Sequence, residues 1–291
     1  MDDIFLGPVP STLRRIFTDP HYSGYRYWHN IVMVFIFVSC ISLTLESVQD
    51  LSDRYAAAFD WSEWSTVIFF TIDAAANVYF APRPFRYLFS FWGMIDVISV
   101  APSYLMLLNL TAVRTTKMIR LLRVARALRV LKLARSAADE ADGAEEEIQN
   151  PILANLKIYM IIFFAVFMIS STSMYYVEGA LYSEDAIQSG QAELNAATPV
   201  GHTPAVYVPT DPISGMPITE DKRFFTSIPS AMWWCMVTMT TTGYGDMYPV
   251  TVGGRMVACF TMLCGLILFA ILLTIINKTM MVLFFGEKLP D

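Results

Sequence analysis

The sequence predicts an all-α membrane protein: a four-helix bundle, then a two-helix unit holding a short re-entrant helix and a glycine-rich loop. Three observations predict it. The 291 residues are 55% apolar and only 16% charged, with mean hydropathy +0.47, whereas a soluble domain is about a quarter charged. Long runs without Asp, Glu, Lys or Arg recur, each about long enough to cross a hydrocarbon layer of roughly 30 Å as a helix. One such run ends in Thr240-Thr241-Thr242-Gly243-Tyr244-Gly245-Asp246, where glycines alternate with a bulky ring at membrane depth. The net charge of −6 decides little, since placement relative to the membrane matters more than the sum. Nothing resembles a basic nucleic-acid-binding domain, so no nucleic-acid partner is expected.

Residues 1–26 form a polar lead with Arg14, Arg15 and Arg26, too short to fold alone, and without the apolar core and small-residue cleavage site of a signal peptide. The first long apolar run is expected to serve as the targeting signal. Residues 27–45 are the first uncharged run, ending at Glu46. A polar loop follows, and residues 64–82 carry only Asp73 before stopping at Pro82-Arg83-Pro84, where proline cannot continue a helix. Residues 87–113 carry only Asp96, and Pro102 is expected to bend or end that third helix. The fourth segment differs. Arg114, Lys117, Arg120, Arg123, Arg126, Arg129, Lys132 and Arg135 recur at every third residue among largely apolar neighbours. On an α-helix steps of three drift by about 60° each; on a 3₁₀ segment they line one face.

Residues 136–150 make an acidic connector between the two membrane units, 27–135 and 151–285. Residues 158–177 form a fifth uncharged run. Residues 179–223 are rich in Pro, Gly, Ser, Thr and acids, and read as an irregular surface loop whose length suggests partial order. Residues 224–245 and 256–277 are uncharged, with 286–291 a short tail. Pro229 should open a helix of roughly ten residues, too short to cross, and the glycines then turn the chain back. Segment 226–249 is therefore a re-entrant hairpin, six crossings remain, and both termini lie on one side. Arg14, Arg15, Arg83 and Arg86 mark that side as cytoplasmic.

Cys40, Cys235, Cys259 and Cys264 all fall in apolar runs and form no close metal-ligating set; they read as small buried hydrophobes. His21, His29 and His202 are scattered, and no Ser/His/acid set, phosphate loop or metal motif is visible. The chain is not expected to be an enzyme or to hold a cofactor.

Chemistry concentrates in two places. Lipid cannot satisfy backbone polar groups, so irregular backbone at membrane depth survives only inside protein or along a water-filled path. The run Thr241-Thr242-Gly243-Tyr244-Gly245 resembles the known filter pattern of potassium channels, in which carbonyl oxygens and a Thr hydroxyl replace the water shell of a potassium ion. An ordinary Gly-Tyr-Gly turn is the plainer alternative; the flanking Trp233-Trp234 and Tyr248-Pro249 favour an ion filter. The second place is the cation ladder. Each cation costs roughly 2.5–3.5 kcal/mol at the bilayer centre, so the ladder must face water crevices or acids. Glu46, Glu63, Asp73 and Asp96 are the candidate countercharges. An interfacial amphipathic helix would leave those acids without partners, and a nucleic-acid-binding helix fails on the surrounding hydropathy. A voltage-sensing helix explains both sets of charges.

Over about residues 28–286 the chain resembles a six-helix voltage-gated potassium channel subunit of the minimal prokaryotic kind. The most specific stretch runs from Pro229-Ser230-Ala231-Met232-Trp233-Trp234 through Thr240-Thr241-Thr242-Gly243-Tyr244-Gly245-Asp246 to Met247-Tyr248-Pro249. The resemblance implies a homotetramer in the plasma (cell inner) membrane, in contact with lipid. Its potassium sites would be formed by the carbonyls of Thr241, Thr242, Gly243 and Tyr244 with the Thr241 hydroxyl, and opening would follow depolarisation. Trp233, Trp234 and Asp246 resemble the filter's supporting cuff. Phe70 with Asp73 resembles a charge-transfer Phe and acid, with Asp96 the third partner. Arg129-Val130-Leu131-Lys132 resembles the inner end of the sensor helix. Gly265 sits at the family's inner-helix hinge, though a small residue there also permits close helix packing. Tyr248 would face outward just past the filter, where four rings hold a quaternary ammonium blocker by cation–π attraction.

The sequence also departs from that pattern. Thr242 replaces the usual filter Val, and Leu272-Leu273-Thr274 stand where many animal channels have a Pro-x-Pro kink. The acidic connector differs from a basic amphipathic linker, and no soluble regulatory domain is expected within these residues. Three alternatives stay open at this point: opening by hyperpolarisation, a voltage sensor with proton permeation and a silent pore, and a transporter.

Overall fold

The computed structural model describes residues 15–17, 22–81, 83–107, 125–133, 151–198 and 205–285. Arg114, Lys117, Arg120, Arg123, Arg135 and the acidic connector lie outside the described residues. Helices and turns account for the described chain; no strand forms among the described residues, and Thr210 and Pro217 make one isolated antiparallel bridge.

Helix α1 spans Ser23–Glu46 and buries Val32, Ile36, Ser39, Cys40 and Leu43, the three-to-four spacing of one helical face. Val34, Val38 and Ile41 stay exposed on the other side, as an apolar face toward lipid requires. Helix α2 spans Gln49–Phe80, with a non-helical break at Tyr55 (φ −122°, ψ 24°). Its buried Thr66, Phe70 and Asp73 share one face with Glu63, at steps of three and four. Pro84 opens the short α3, Pro84–Leu88, where the N–H it lacks would have had no helical partner.

Helix α4 spans Phe91–Leu107 and continues through Pro102. Proline therefore does not end this helix, one of the two outcomes expected from sequence. It removes the N–H that would bond Ile98 and pushes away from that carbonyl. In the same turn the Ser99 carbonyl accepts Arg129 Nε at 2.9 Å. A 3₁₀ segment, Leu128–Leu131, holds Arg129 and is followed directly by Lys132. Three residues per turn bring Arg129 and Lys132 toward one face.

Helix α5 spans Pro151–Glu178, then a 3₁₀ turn covers Gly179–Tyr182. Helix α6, Glu184–Ala197, corrects the expectation of an irregular loop over 179–223. Its start is capped by Ser183, whose hydroxyl accepts from the Ala186 N–H, and acidic residues follow in the first turn, the pattern that favours a helix N-terminus. The loop beyond is ordered by side chains. Gln191 accepts from the Tyr207 N–H at 2.7 Å and donates to the Ala205 carbonyl at 3.0 Å. Asp211 closes a turn, and the Ser214 hydroxyl and the Ile213 N–H hold its carboxyl below the usual range. Helix α7 spans Ile228–Met239 and α8 spans Val252–Phe285.

Among the described residues, three helices are long and apolar enough to cross a membrane: Ser23–Glu46, the helix beginning at Ile152, and Val252–Phe284. Helix α2 fails that test because it carries acids along its length, and α4 is only 17 residues long. Hydropathy undercounts helices whose charges face one another. The chain divides into two compact units, Met1–Leu43 with Ala57–Ala165, and Thr44–Ala56 with Val166–Asp291.

Candidate functional site

In the second unit, α7 is 12 residues long, about 18 Å at 1.5 Å per residue and too short to span a bilayer core. Ser227 caps its start, accepting from the Ser230 N–H, and Pro229 lies in the first turn. The chain then leaves the helix in an alternating conformation. Thr241, Gly243 and Gly245 have φ of 58°, 60° and 78°, while Thr242 and Tyr244 between them keep negative φ. Alternation of this kind collects successive N–H groups on one side of the backbone. Here the Thr241 N–H bonds the Thr238 carbonyl at 3.1 Å, and the Thr242 and Gly243 N–H groups bond the Val237 carbonyl at 3.0 and 3.3 Å. Those bonds close the last turn of α7.

The side chains behind this segment are tied. Trp233 Nε1 donates to Asp246 Oδ2 at 2.9 Å, and its ring stacks on Tyr244 at 5.9 Å between centroids, 7° from parallel. Trp234 is buried elsewhere, edge-on to Phe225 at 5.8 Å. Thr242 Oγ1 lies 2.8 Å from Thr240 Oγ1, which also lies 2.8 Å from the Met236 carbonyl. Thr240 has one hydroxyl proton and spends it on that carbonyl, so Thr242 is the donor in the pair. A valine there would lack this bond. Tyr248 is half exposed, beside Phe224 at 5.4 Å.

Glu178 is a participant that sequence reading missed. It is buried at the end of α5 and accepts from the Thr251 N–H at 2.9 Å, the Thr251 hydroxyl at 2.6 Å and the Val250 N–H at 3.2 Å. In sequence it marked only the end of an apolar run; no local pattern announces a carboxylate that reaches 72 residues along the chain. Gly265 lies inside the continuous α8, and a Cβ there would stand 2.8 Å from Met239 Cα and 3.1 Å from its carbonyl oxygen. The glycine lets α8 approach the end of α7 backbone to backbone. Gly265→Ala is expected to cost about 1–3 kcal/mol, since backbone cannot step aside as a side chain can. A melting temperature unchanged from wild type would refute that.

In the first unit, Arg129 is fully buried. Its Nη2 lies 3.0 Å from Glu63 Oε1 and its Nη1 3.3 Å from Glu63 Oε2. Ser39 accepts at 3.0 Å, Ser103 at 3.1 Å and Thr66 at 3.4 Å. Arg126 Nε approaches the same Glu63 at 3.5 Å. Lys132 Nζ bridges Asp73 Oδ2 at 2.9 Å and Asp96 Oδ1 at 3.0 Å. The fully buried Phe70 ring lies beneath both cations, 5.8 Å from Arg129 Cζ and 4.9 Å from Lys132 Nζ. Glu63, Phe70, Asp73 and Asp96 thus meet the described cations. Glu46 is part-buried at the last position of α1. The hydroxyls of Ser39, Thr66 and Ser103, with Trp28 and Tyr87 on the two aspartates, complete the cluster. Small polar residues and ring donors in apolar helices gave no sequence signal of their own. Among the described residues no group of His, Cys, Asp and Glu is arranged to hold a metal ion.

A multi-pass membrane protein with a short apolar helix, an alternating glycine-containing segment after it and buried ion pairs is the class this geometry defines. The chain belongs to the ion transport protein family, which it matches over residues 25–282. It is a multi-pass membrane protein, and that family is one of channels, not enzymes. A putative potassium channel protein of Rhodopseudomonas palustris is 28% identical over 83% of this chain and 50% of its own length. The human potassium voltage-gated channel subfamily A member 6 is 52% identical over 18% of this chain and 10% of its own. A human voltage-gated potassium channel regulatory subunit is 45% identical over 21% of this chain and 14% of its own. The chain thus spans half the length of the bacterial relative and a seventh or less of the animal ones.

Proposed function

We propose that the chain is one subunit of a voltage-gated potassium channel in the plasma membrane, with both termini cytoplasmic, conducting potassium passively through a homotetrameric pore that opens on depolarisation. The observation that carries this reading is the alternating backbone of residues 241–245, with the Thr241, Thr242 and Gly243 N–H groups turned back onto α7. Carbonyl oxygens of Thr241, Thr242, Gly243 and Tyr244, with the Thr241 hydroxyl, replace the hydration shell of a potassium ion. The C-terminal end of α7 adds the negative end of a helix dipole next to the segment.

One chain supplies one side of such a ring, so four copies are required. In the single chain Tyr244 is 67% exposed, as are Leu263 at 63% and Ile267 at 61% on α8, which fits surfaces that copies of the chain cover. Residues 27–135 act as the sensor. One charge crossing the field is worth about 2.3 kcal/mol per 100 mV, so roughly three per subunit in a tetramer give on the order of 30 kcal/mol per 100 mV. Asp73, Asp96 and Glu63 offer a cation in transit a partner at two levels, and Phe70 lies between them.

The test is purified protein in liposomes under an imposed voltage, with potassium and sodium flux compared. Potassium flux should far exceed sodium flux, rise with depolarisation, vanish in Gly245→Asp, and fall with external tetraethylammonium. Tyr248→Val should weaken that block. Equal sodium and potassium flux would sink the reading.

A further inference from the structure

The bonds that hold residues 241–246 lead back to α7, and the two ends are held differently. At the far end Trp233 Nε1 donates to Asp246 Oδ2 at 2.9 Å, and the Trp233 ring stacks on Tyr244. At the near end the Thr242 and Gly243 N–H groups share one acceptor, the Val237 carbonyl, at 3.0 and 3.3 Å. The second of these is long for such a bond. A side chain adds a further tie there. Thr242 Oγ1 donates to Thr240 Oγ1 at 2.8 Å, and Thr240 Oγ1 donates to the Met236 carbonyl at 2.8 Å. Thr240 is the residue that closes α7, and its own N–H also reaches the Met236 carbonyl.

The two hydroxyls thus form a relay from residue 242 to a backbone carbonyl of the helix, with one proton spent at each step. Thr242 is also the residue at which this chain departs from the valine of the usual filter pattern. Valine is branched at Cβ as threonine is, so it keeps the same stiffness at χ1. It has no proton to give, however, and it would leave Thr240 Oγ1 without its donor. The departure therefore changes one tie to α7 and leaves the backbone bonds of residues 242 and 243 in place.

In the potassium-channel reading, on which this inference rests, carbonyl oxygens from four copies surround each ion. The cation offsets the repulsion between oxygens that face one another. Once it leaves, like partial charges remain at short range and favour rotation of the peptide groups. Whether the backbone yields depends on what that rotation would break. We propose that the Thr242 hydroxyl is a latch, which holds residue 242 in its observed conformation through Thr240 while the segment is empty of potassium. Thr240 is a positioning residue acting through Thr242. The latch preserves the conducting arrangement in low potassium and plays no part in choosing the ion. With potassium bound, the ion itself holds the segment, and the latch adds little.

The test is a double-mutant cycle on the full-length channel in planar bilayers. Potassium is replaced by N-methylglucamine for increasing times, and the current that survives is measured when potassium returns. Thr242→Val should lose current about fivefold faster than wild type, the effect of one neutral hydrogen bond. Thr242→Ser keeps the hydroxyl and should stay within about twofold of wild type. Thr240→Val removes the acceptor and should be at least as fast as Thr242→Val. Adding Thr242→Val to Thr240→Val should then change the rate about twofold or less. In high potassium the differences should close, whereas a role in general stability would persist there. Equal rates in wild type and Thr242→Val, a serine variant as fast as the valine one, additive effects of the two valines, or a difference that persists in high potassium would each overturn the latch. If the wild type passes no potassium, the channel reading fails. The latch is then read from amide hydrogen exchange over residues 237–245 in potassium-free buffer. Faster exchange in Thr242→Val, with no further gain in the double variant, supports it, and unchanged exchange overturns it.

Discussion

Glu178→Ala should lower the melting temperature of the channel in detergent and cause potassium flux to run down within an assay that wild type sustains. The carboxylate is 1% exposed and satisfies two backbone N–H groups and a hydroxyl just beyond residues 241–245. Truncation strands those donors, each worth about 1–3 kcal/mol when buried and unpaired, so a total near 4 kcal/mol is expected after partial relaxation. The site is shaped for the carboxylate: a Cβ on Gly254 would collide with it. Glu178→Gln keeps the shape and one acceptor oxygen but turns an amide donor toward N–H groups, so an intermediate loss is expected. Loss of flux without loss of melting temperature would show that the bond network steadies residues 241–245 alone. No change in either would remove Glu178 from the argument.

What the sequence made legible follows from which physical signals are local. Pro229 after Ser227 announces the start of α7, because a cap and a proline act within one turn. The glycines of residues 243 and 245 announce positive φ, because few other residues adopt it cheaply. Thr241, at φ 58°, gave no such sign; its conformation is held by its neighbours' bonds to α7. The spacing of Glu63, Phe70 and Asp73 is visible because the helical period is fixed. Which cation each acid meets was not, since that depends on how helices of the first unit pack. Helix α6 was missed because the Pro- and Gly-rich residues around it dominated the composition of residues 179–223. Thr242 stood out as a departure without a consequence. The structure supplies one, a hydroxyl bond to Thr240 that a valine lacks.

Arg129→Ala should be the most damaging single change in the first unit. The guanidinium is 1% exposed and bonds Glu63, Ser39, Ser103, Thr66 and the Ser99 carbonyl. Removing one partner of a buried ion pair costs about 3–5 kcal/mol, mostly because the other charge is left behind. Glu63 keeps 21% side-chain exposure and the approach of Arg126, so a loss near 3 kcal/mol is expected. That origin makes a further prediction. Arg129→Ala/Glu63→Gln should be more stable than Arg129→Ala alone, since the stranded charge is then gone. Arg129→Lys should lose less than the alanine variant, yet an ammonium cannot span both Glu63 oxygens as the fork does. Melting temperatures of the four proteins decide the matter. If the double variant melts below the single one, the cost lies in lost packing of the arginine stem and not in the unpaired carboxylate.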